Sequence, residues 1–295
     1  MPVPEELTVV GCPLCGVLAD VSVAPALTEG GYTARRCITC DLVFVTPRPL
    51  PAQILGIYEH DASQTRARAH VAKTRESYAL AHARHLLSMV PAATGAPALL
   101  EIGAGGGLLL SEARARGYDV AAIEPNGVLA THLRENGIPC EERPLCESSF
   151  GGRVFDVIVH VNVLSHFYDP VASMRAMAER LRPGGCMIFE TGNFADVSAR
   201  YHGLIAASER FQLPEHLTFF GERSLLRLVD AAGLSVVATH RYSRIAEKRG
   251  PAILRRIGLG RRADSLRFWL KYRIGRWLPK SGRPLSLVIV CRRGS

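Results

Sequence analysis

From Ala98 onward the chain alternates short apolar runs with helix-like stretches, and that alternation restricts it to a small set of folds. The apolar runs are Ala98–Ile102, Val120–Ile123, Phe155–Val161, Met187–Thr191, Leu234–Thr239 and Leu285–Cys291. Between them, residues near 107–116, 126–136, 170–181 and 222–232 carry helical spacing. Strands alternating with helices predict an α/β fold: a mostly parallel sheet with helices on both faces. This part spans residues 97–295. Residues 51–96 read as a helical cap or linker, with Ile54, Ile57 and Tyr58, then Tyr78, Leu80, Leu86 and Leu87, at partly helical intervals.

The first of these strands ends in Glu101 and runs into Gly103-Ala104-Gly105-Gly106-Gly107, after which Leu108–Leu110 open a helix. Glycines let the backbone bend sharply and approach a ligand without a Cβ in the way. Open parallel sheets bind ligands at the carboxyl ends of their strands. The second strand ends in Glu124-Pro125. An acid there can accept hydrogen bonds from both hydroxyls of a ribose. A dinucleotide fingerprint would place glycine at the sixth position of G-x-G-x-x-G, where this chain has Leu108. The loop therefore favours an adenosyl ligand without a pyrophosphate.

Together with Phe155–His166, the helix start Asp169-Pro170 and the turn Leu181-Arg182-Pro183-Gly184-Gly185, these segments resemble class I S-adenosylmethionine-dependent methyltransferases. The resemblance covers roughly residues 52–293, apart from an insertion near 245–282. It implies a Rossmann-like sheet whose last strand runs antiparallel, and S-adenosylmethionine as cofactor. By position it implies that Gly103, Ala104 and Gly105 lie under the methionine part, with Glu101 facing the ligand. Glu124 and Pro125 would meet the ribose, Leu145 and Cys146 the adenine, and His160 and Asn162 the methionine end. Asp156, in the fourth strand, reads as a cap on local backbone.

Residues 1–50 form a separate expectation. Cys12-Pro13-Leu14-Cys15 and Cys37-Ile38-Thr39-Cys40 are two C-x-x-C knuckles. Each can give two thiolates to one tetrahedral metal, and the spacing matches structural zinc sites. Four protein ligands leave no position open for water, so a zinc ion held here is structural. The other readings are four reduced cysteines or two disulfides. A zinc knot before this pattern resembles bacterial enzymes of secondary-metabolite or surface-polysaccharide biosynthesis, which implies a small-molecule acceptor: a secondary metabolite, a sugar or a lipid-linked saccharide. Certain ribosomal RNA methyltransferases share the combination, so an RNA substrate is the alternative.

Methyl transfer to oxygen or carbon needs alignment, exclusion of water and a proton acceptor. Histidine titrates in the useful range. His216, within Leu213–Phe220 in the long connection after the fifth strand, is the leading candidate, and His166, just after the fourth strand, is the second. Each has a plainer reading, His166 as a helix cap and His216 as a packed loop residue. Asn162-Val163-Leu164-Ser165 stands where amino-directed DNA methyltransferases carry Asn/Asp-Pro-Pro-Tyr/Phe, so DNA is not an expected partner.

The net charge of +9 is uneven: sixteen Lys and Arg face two acids between Arg241 and Ser295, leaving the remainder acidic. Within residues 245–282 the basic residues interleave with Leu266, Phe268, Trp269, Tyr272 and Trp277. A basic amphipathic helix of this kind packs on its own domain, lies on an anionic membrane or binds RNA phosphates. No apolar run reaches about 18 residues, and Glu5 and Glu6 stand where a signal peptide would be positive. A cytoplasmic location is the expectation.

Overall fold

The computed structural model describes residues 6–18, 22–29, 31–59, 77–91, 95–193, 213–243 and 285–294. The basic stretch 245–282 lies outside them. The central sheet is built from β6 (Ala98–Ile102), β7 (Asp119–Ile123), β8 (Cys140–Glu141), β9 (Phe155–Val161), β10 (Leu181–Asn193), β12 (Leu234–Ser243) and β13 (Leu285–Arg293). Their order across the sheet is β12-β13-β10-β9-β6-β7-β8. All neighbouring pairs from β10 to β8 are parallel, and β13 runs antiparallel to both β10 and β12. This is the α/β architecture that the strand pattern predicted, with the antiparallel last strand that the resemblance implied.

Helices close both faces, which is why the central strands are apolar along almost their whole length. On one face α2 (Ser77–Leu87), α3 (Leu108–Ala115) and α4 (Gly127–Glu135) cover Leu99, Val120, Val157, Val159 and Ile188. On the other, α5 (Pro170–Arg180) and α6 (Glu222–Ala231) cover Ile102, Ile158, Phe189 and Ile289. Local chemistry starts two of these helices. The Asn126 side chain accepts the Leu129 amide at 3.3 Å ahead of α4, and Asp169 accepts the Ala172 amide at 2.9 Å ahead of α5, where Pro170 fits the first turn. Asp156 caps backbone, accepting the Ala98 amide at 2.7 Å.

The N-terminal cysteine region has a sheet of its own. β2 (Ser22–Glu29) and β3 (Tyr32–Arg36) form a hairpin, and β4 (Val43–Val45) adds to it antiparallel. The fourth strand comes from far along the chain. β11 (Thr218–Phe219) pairs with β4 in the register Thr218↔Phe44 and Phe219↔Val43. The Val45 amide donates to the Leu217 carbonyl at 2.9 Å, and the Leu217 amide to the Ser165 carbonyl at 2.7 Å. Thus the segment carrying His216 belongs to the N-terminal sheet and is also tied to the loop after β9. Cys12, Cys37, Cys40, Leu42 and Phe44 are buried in the same apolar cluster as Phe189, Phe220 and Leu225. Arg227 of α6 donates to the Thr39 carbonyl at 2.8 Å, and Arg223 pairs with Asp41.

Among the described residues no helix is long and apolar enough to cross a membrane. Phe44 is 3% exposed within the shared cluster. Phe44→Ala is expected to cost about 3–5 kcal/mol by calorimetry or urea melting, with one unfolding transition for the whole chain. Two separate transitions would show that the cysteine region and the large sheet do not share a core.

Candidate functional site

The glycine loop after β6 is held open by a carboxylate. Glu124, one residue past β7, accepts the Gly105 amide at 2.8 Å through Oε2 and the Asn126 amide at 3.0 Å through Oε1. The Gly103 amide donates to the Ile123 carbonyl at 2.7 Å, so the ends of the two strands are locked side by side. Gly103 has φ +70°, and a Cβ there would lie 2.5 Å from Val163 Cγ2. The bend therefore needs glycine for both conformation and space.

Beside this bend is a cavity of about 480 Å³, within the range of small-molecule sites. Gly103, Ile123, Glu124, Pro125, Pro144 and Leu145 form one part of its wall. Asn162, Val163, His166, Phe167, Tyr168 and Met177 form another, and Pro51 and Ile54 of α1 (Pro51–Glu59) complete it. Asn162 sits at φ 55°, and its amide donates to the Glu190 carbonyl at 2.8 Å, turning the chain out of β9 at the cavity edge.

Two buried carboxyls mark the strand ends. Glu101 is 6% exposed, its Oε2 has no hydrogen-bond partner, and burial, then the nearby Glu124 charge, raises its pKa well above the usual carboxylate range. Burial also raises Glu124, opposed by the two amides it accepts. An orphaned carboxylate oxygen beside an open backbone bend suits a ligand carrying an ammonium group. The residues present thus fit the amino-acid end of S-adenosylmethionine, and Glu124 and Pro125 on the wall fit a ribose.

The candidate histidines separate into different roles. His166 lines the cavity, and its Nδ1 lies 2.9 Å from the Glu215 carbonyl. A carbonyl only accepts, so Nδ1 carries the proton and Nε2 the lone pair. Burial, then His216, lowers its pKa to about 4. His216 stands behind it, with ring centroids 4.4 Å apart and near-perpendicular planes. His166 is thus at the wall and His216 packs against it. His160 is fully buried off the wall, stacked on Phe189 at 4.8 Å, with neither ring nitrogen hydrogen-bonded. Burial drives its pKa down to about 3.

Of the remaining cofactor candidates, Gly103, Glu124, Pro125, Leu145 and Asn162 line the cavity; Glu101, Ala104, Gly105 and Cys146 stand next to lining residues without lining it. The sequence reading did not single out Phe167 and Tyr168, although they follow His166 directly, nor Ile54 as a wall residue.

The four knuckle thiols converge. Sγ atoms of Cys12, Cys15, Cys37 and Cys40 lie within 4.8 Å of one another, with Cys12–Cys40 and Cys15–Cys37 at 3.5 Å. Zinc–thiolate bonds of about 2.3 Å set tetrahedral edges of about 3.8 Å, so the donor set fits a zinc ion. The knuckles share one backbone plan: Gly16 and Asp41, each following the second cysteine, have φ 73° and 63°. In each, an amide of that residue returns to the carbonyl of the first cysteine, at 2.8 Å and 2.9 Å.

A family model described as a methyltransferase domain matches residues 93–239. The chain is 30% identical over 150 residues to a ubiquinone biosynthesis O-methyltransferase of Aeromonas salmonicida, covering 47% of this chain and 63% of the relative. It is 40% identical over 103 residues to the enzyme of the same name from a Caulobacter species, covering 32% and 40%. The chain therefore spans less than two thirds of either relative. The crystal structure of a mycolic acid cyclopropane synthase shares the fold, with a TM-score of 0.56 at 14% identity over 83% of this chain and 99% of that one.

The buried histidines generate a pH prediction. An unfolded-chain His160 titrates near 6.5, whereas the native ring holds out to about 3. Below pH 6.5 the unfolded state takes up a proton that the native state refuses, so stability falls as pH drops from 6.5 toward 3 and is flat above. His160→Phe keeps the stacking and removes this share. Between pH 6.5 and 4.5 the wild type is expected to lose roughly 2–3 kcal/mol more than the variant in urea melts. Equal acid limbs would rule the account out.

Proposed function

With residues 93–239 forming a methyltransferase domain of the class I fold, we propose that the chain transfers a methyl group from S-adenosylmethionine to a hydroxyl of a small-molecule acceptor. The observation that carries this reading is one cavity whose wall holds Gly103 and Glu124 as well as His166. The matched O-methyltransferases support oxygen as the atom methylated. When bound, the cofactor supplies an already activated methyl group on a sulfonium.

The chain's own residues position and dehydrate. Gly103 presents bare backbone at the cavity wall, where a Cβ would collide with Val163, with Ala104 and Gly105 continuing the bend behind it; Glu101, buried next to the wall with an orphaned oxygen, would serve as counter-charge to the cofactor's ammonium. Glu124 keeps lone pairs for the ribose beyond those that hold the loop. Leu145 and Cys146 would flank the adenine, and Asn162 would border the methionine end. His160 acts from behind the wall by fixing Phe167 and Phe189. His166 receives the acceptor's proton at Nε2, while His216 and the Glu215 carbonyl hold its ring in place. A base lowered to about 4 is poorly matched to an alkyl hydroxyl and better matched to an acidic one.

Cys12, Cys15, Cys37 and Cys40 hold a structural zinc ion, which fixes the module whose sheet contains the His216 segment. Residues 1–50 are then a metal-pinned buttress for the acceptor wall, 51–96 a cap, and 97–295 the catalytic body.

Calorimetric titration is expected to show micromolar-range binding of S-adenosylhomocysteine and none of NAD, with Glu124→Ala weakening the former about tenfold or more. Binding of NAD instead would overturn the assignment. His166→Ala is expected to keep that affinity and lose roughly 100-fold or more in turnover; turnover unchanged would remove His166 from the chemistry. Metal analysis should find roughly one zinc per chain. Its removal should lower the melting temperature, and a zinc-free protein of the same stability would contradict the buttress.

A further inference from the structure

Arg48 is a buried cation packed against Tyr168, a wall residue of the cavity. It forms β5 (Arg48–Pro49) with its neighbour, pairing antiparallel with β1 (Leu7–Thr8), and is 5% exposed. Its Nε and Nη1 have no hydrogen-bond partner. Among the described residues no carboxylate forms a salt bridge with it. Burying a guanidinium without an anion carries a large desolvation penalty. Its guanidinium carbon lies 3.9 Å from the centre of the Tyr168 ring. Such a contact offsets only part of that penalty.

Tyr168 is itself a cavity residue. It lies two positions after His166 on the same stretch of wall and faces the same space as Pro51 and Ile54, which follow Arg48 closely in the chain. The arrangement is therefore an aromatic wall residue in contact with an uncompensated positive charge, two positions along the chain from the proposed base. Carboxylates and phosphates are the groups that guanidinium N–H donors bind most strongly.

We propose that Arg48, with Tyr168, forms an oxyanion-recognising subsite for the acceptor, so that the preferred acceptors carry a carboxylate or phosphate besides the hydroxyl that is methylated. This rests on the small-molecule methyltransferase reading and narrows its substrate class. The charge selects the anion and Tyr168 offers a face for an unsaturated or aromatic body.

The test uses the full chain saturated with S-adenosylhomocysteine and three probes of one shape: benzoate, phenyl phosphate and neutral benzamide, titrated at constant ionic strength. The wild type is expected to bind benzoate, phenyl phosphate or both roughly 10- to 100-fold more tightly than benzamide, and whichever anion is preferred distinguishes carboxylate from phosphate. Arg48→Met should lose that preference with S-adenosylhomocysteine affinity unchanged, and Arg48→Lys should keep part of it. A wild type that does not discriminate, or a variant that discriminates as well as the wild type, would overturn the subsite. Should Arg48→Met not fold, Arg48→Lys decides: a reduced preference upholds the subsite and an unchanged one overturns it. Failure of S-adenosylhomocysteine to bind the wild type would refute the cofactor assignment instead, and the anion comparison would still be read on the ligand-free chain.

Discussion

The bond between the Glu124 carboxylate and the Gly105 amide is the constraint around which the site is organised. A glycine-rich bend has little conformational preference of its own, because glycine loses more entropy on ordering than any other residue. Something outside the loop must hold it. Here a carboxylate from the neighbouring strand does so, accepting Gly105 on one oxygen and Asn126 on the other. Since β6 and β7 are parallel and in register from Ala98↔Asp119 to Ile102↔Ile123, their carboxyl ends arrive together. The acid is thereby both part of the cavity wall and the clamp on the backbone beside it.

The other wall depends on long-range pairing. β11 contributes only Thr218 and Phe219, yet it closes the N-terminal sheet against Phe44 and Val43 while Leu217 reaches Ser165. The cysteine region, the loop after β9 and the His216 segment are thus three parts of one packed unit. A small cysteine-rich segment lacks a core sufficient for independent stability. Its placement on α6, through Arg227 to Thr39 and Arg223 to Asp41, and within the cluster around Phe189 supplies the missing contacts.

These facts explain what could be read from the sequence and what could not. β6 and β9 match their apolar runs to the residue, because strands buried on both faces are apolar along almost their whole length. The hairpin β2–β3 escaped, since Pro25, Thr28 and Glu29 on one side and Arg35 and Arg36 on the other interrupt any apolar period. β11 escaped because two residues carry no period at all. Both C-x-x-C knuckles were legible, because their spacing alone lets the four thiols converge. Which histidine would face the cavity was not legible. His166 and His216 lie 50 positions apart, and their order at the wall follows from the Leu217–Ser165 bond, a tertiary contact. Arg48 lay within a Thr46-Pro47-Arg48-Pro49 stop that reads as punctuation, and only its burial against Tyr168 singles it out.

Burial moves acid and base in opposite directions in this cavity, and that has a chemical consequence. Glu101 is raised and His166 lowered, in both cases first by desolvation, so each favours its neutral form when no ligand charge is near. Glu101 departs from the charge that water would impose at neutral pH, whereas His166 is held more firmly in the neutral form it already favours there. A cationic group beside Glu101 would return it to carboxylate, and the proton it releases must leave the wall. Burial, in contrast, favours the neutral form of His166, so no prior deprotonation is needed for it to act as a base in the proposed reaction. The low dielectric that makes His166 a weak base also makes any anion near Arg48 interact strongly. The same desolvation thus acts on both the proposed base and the buried cation.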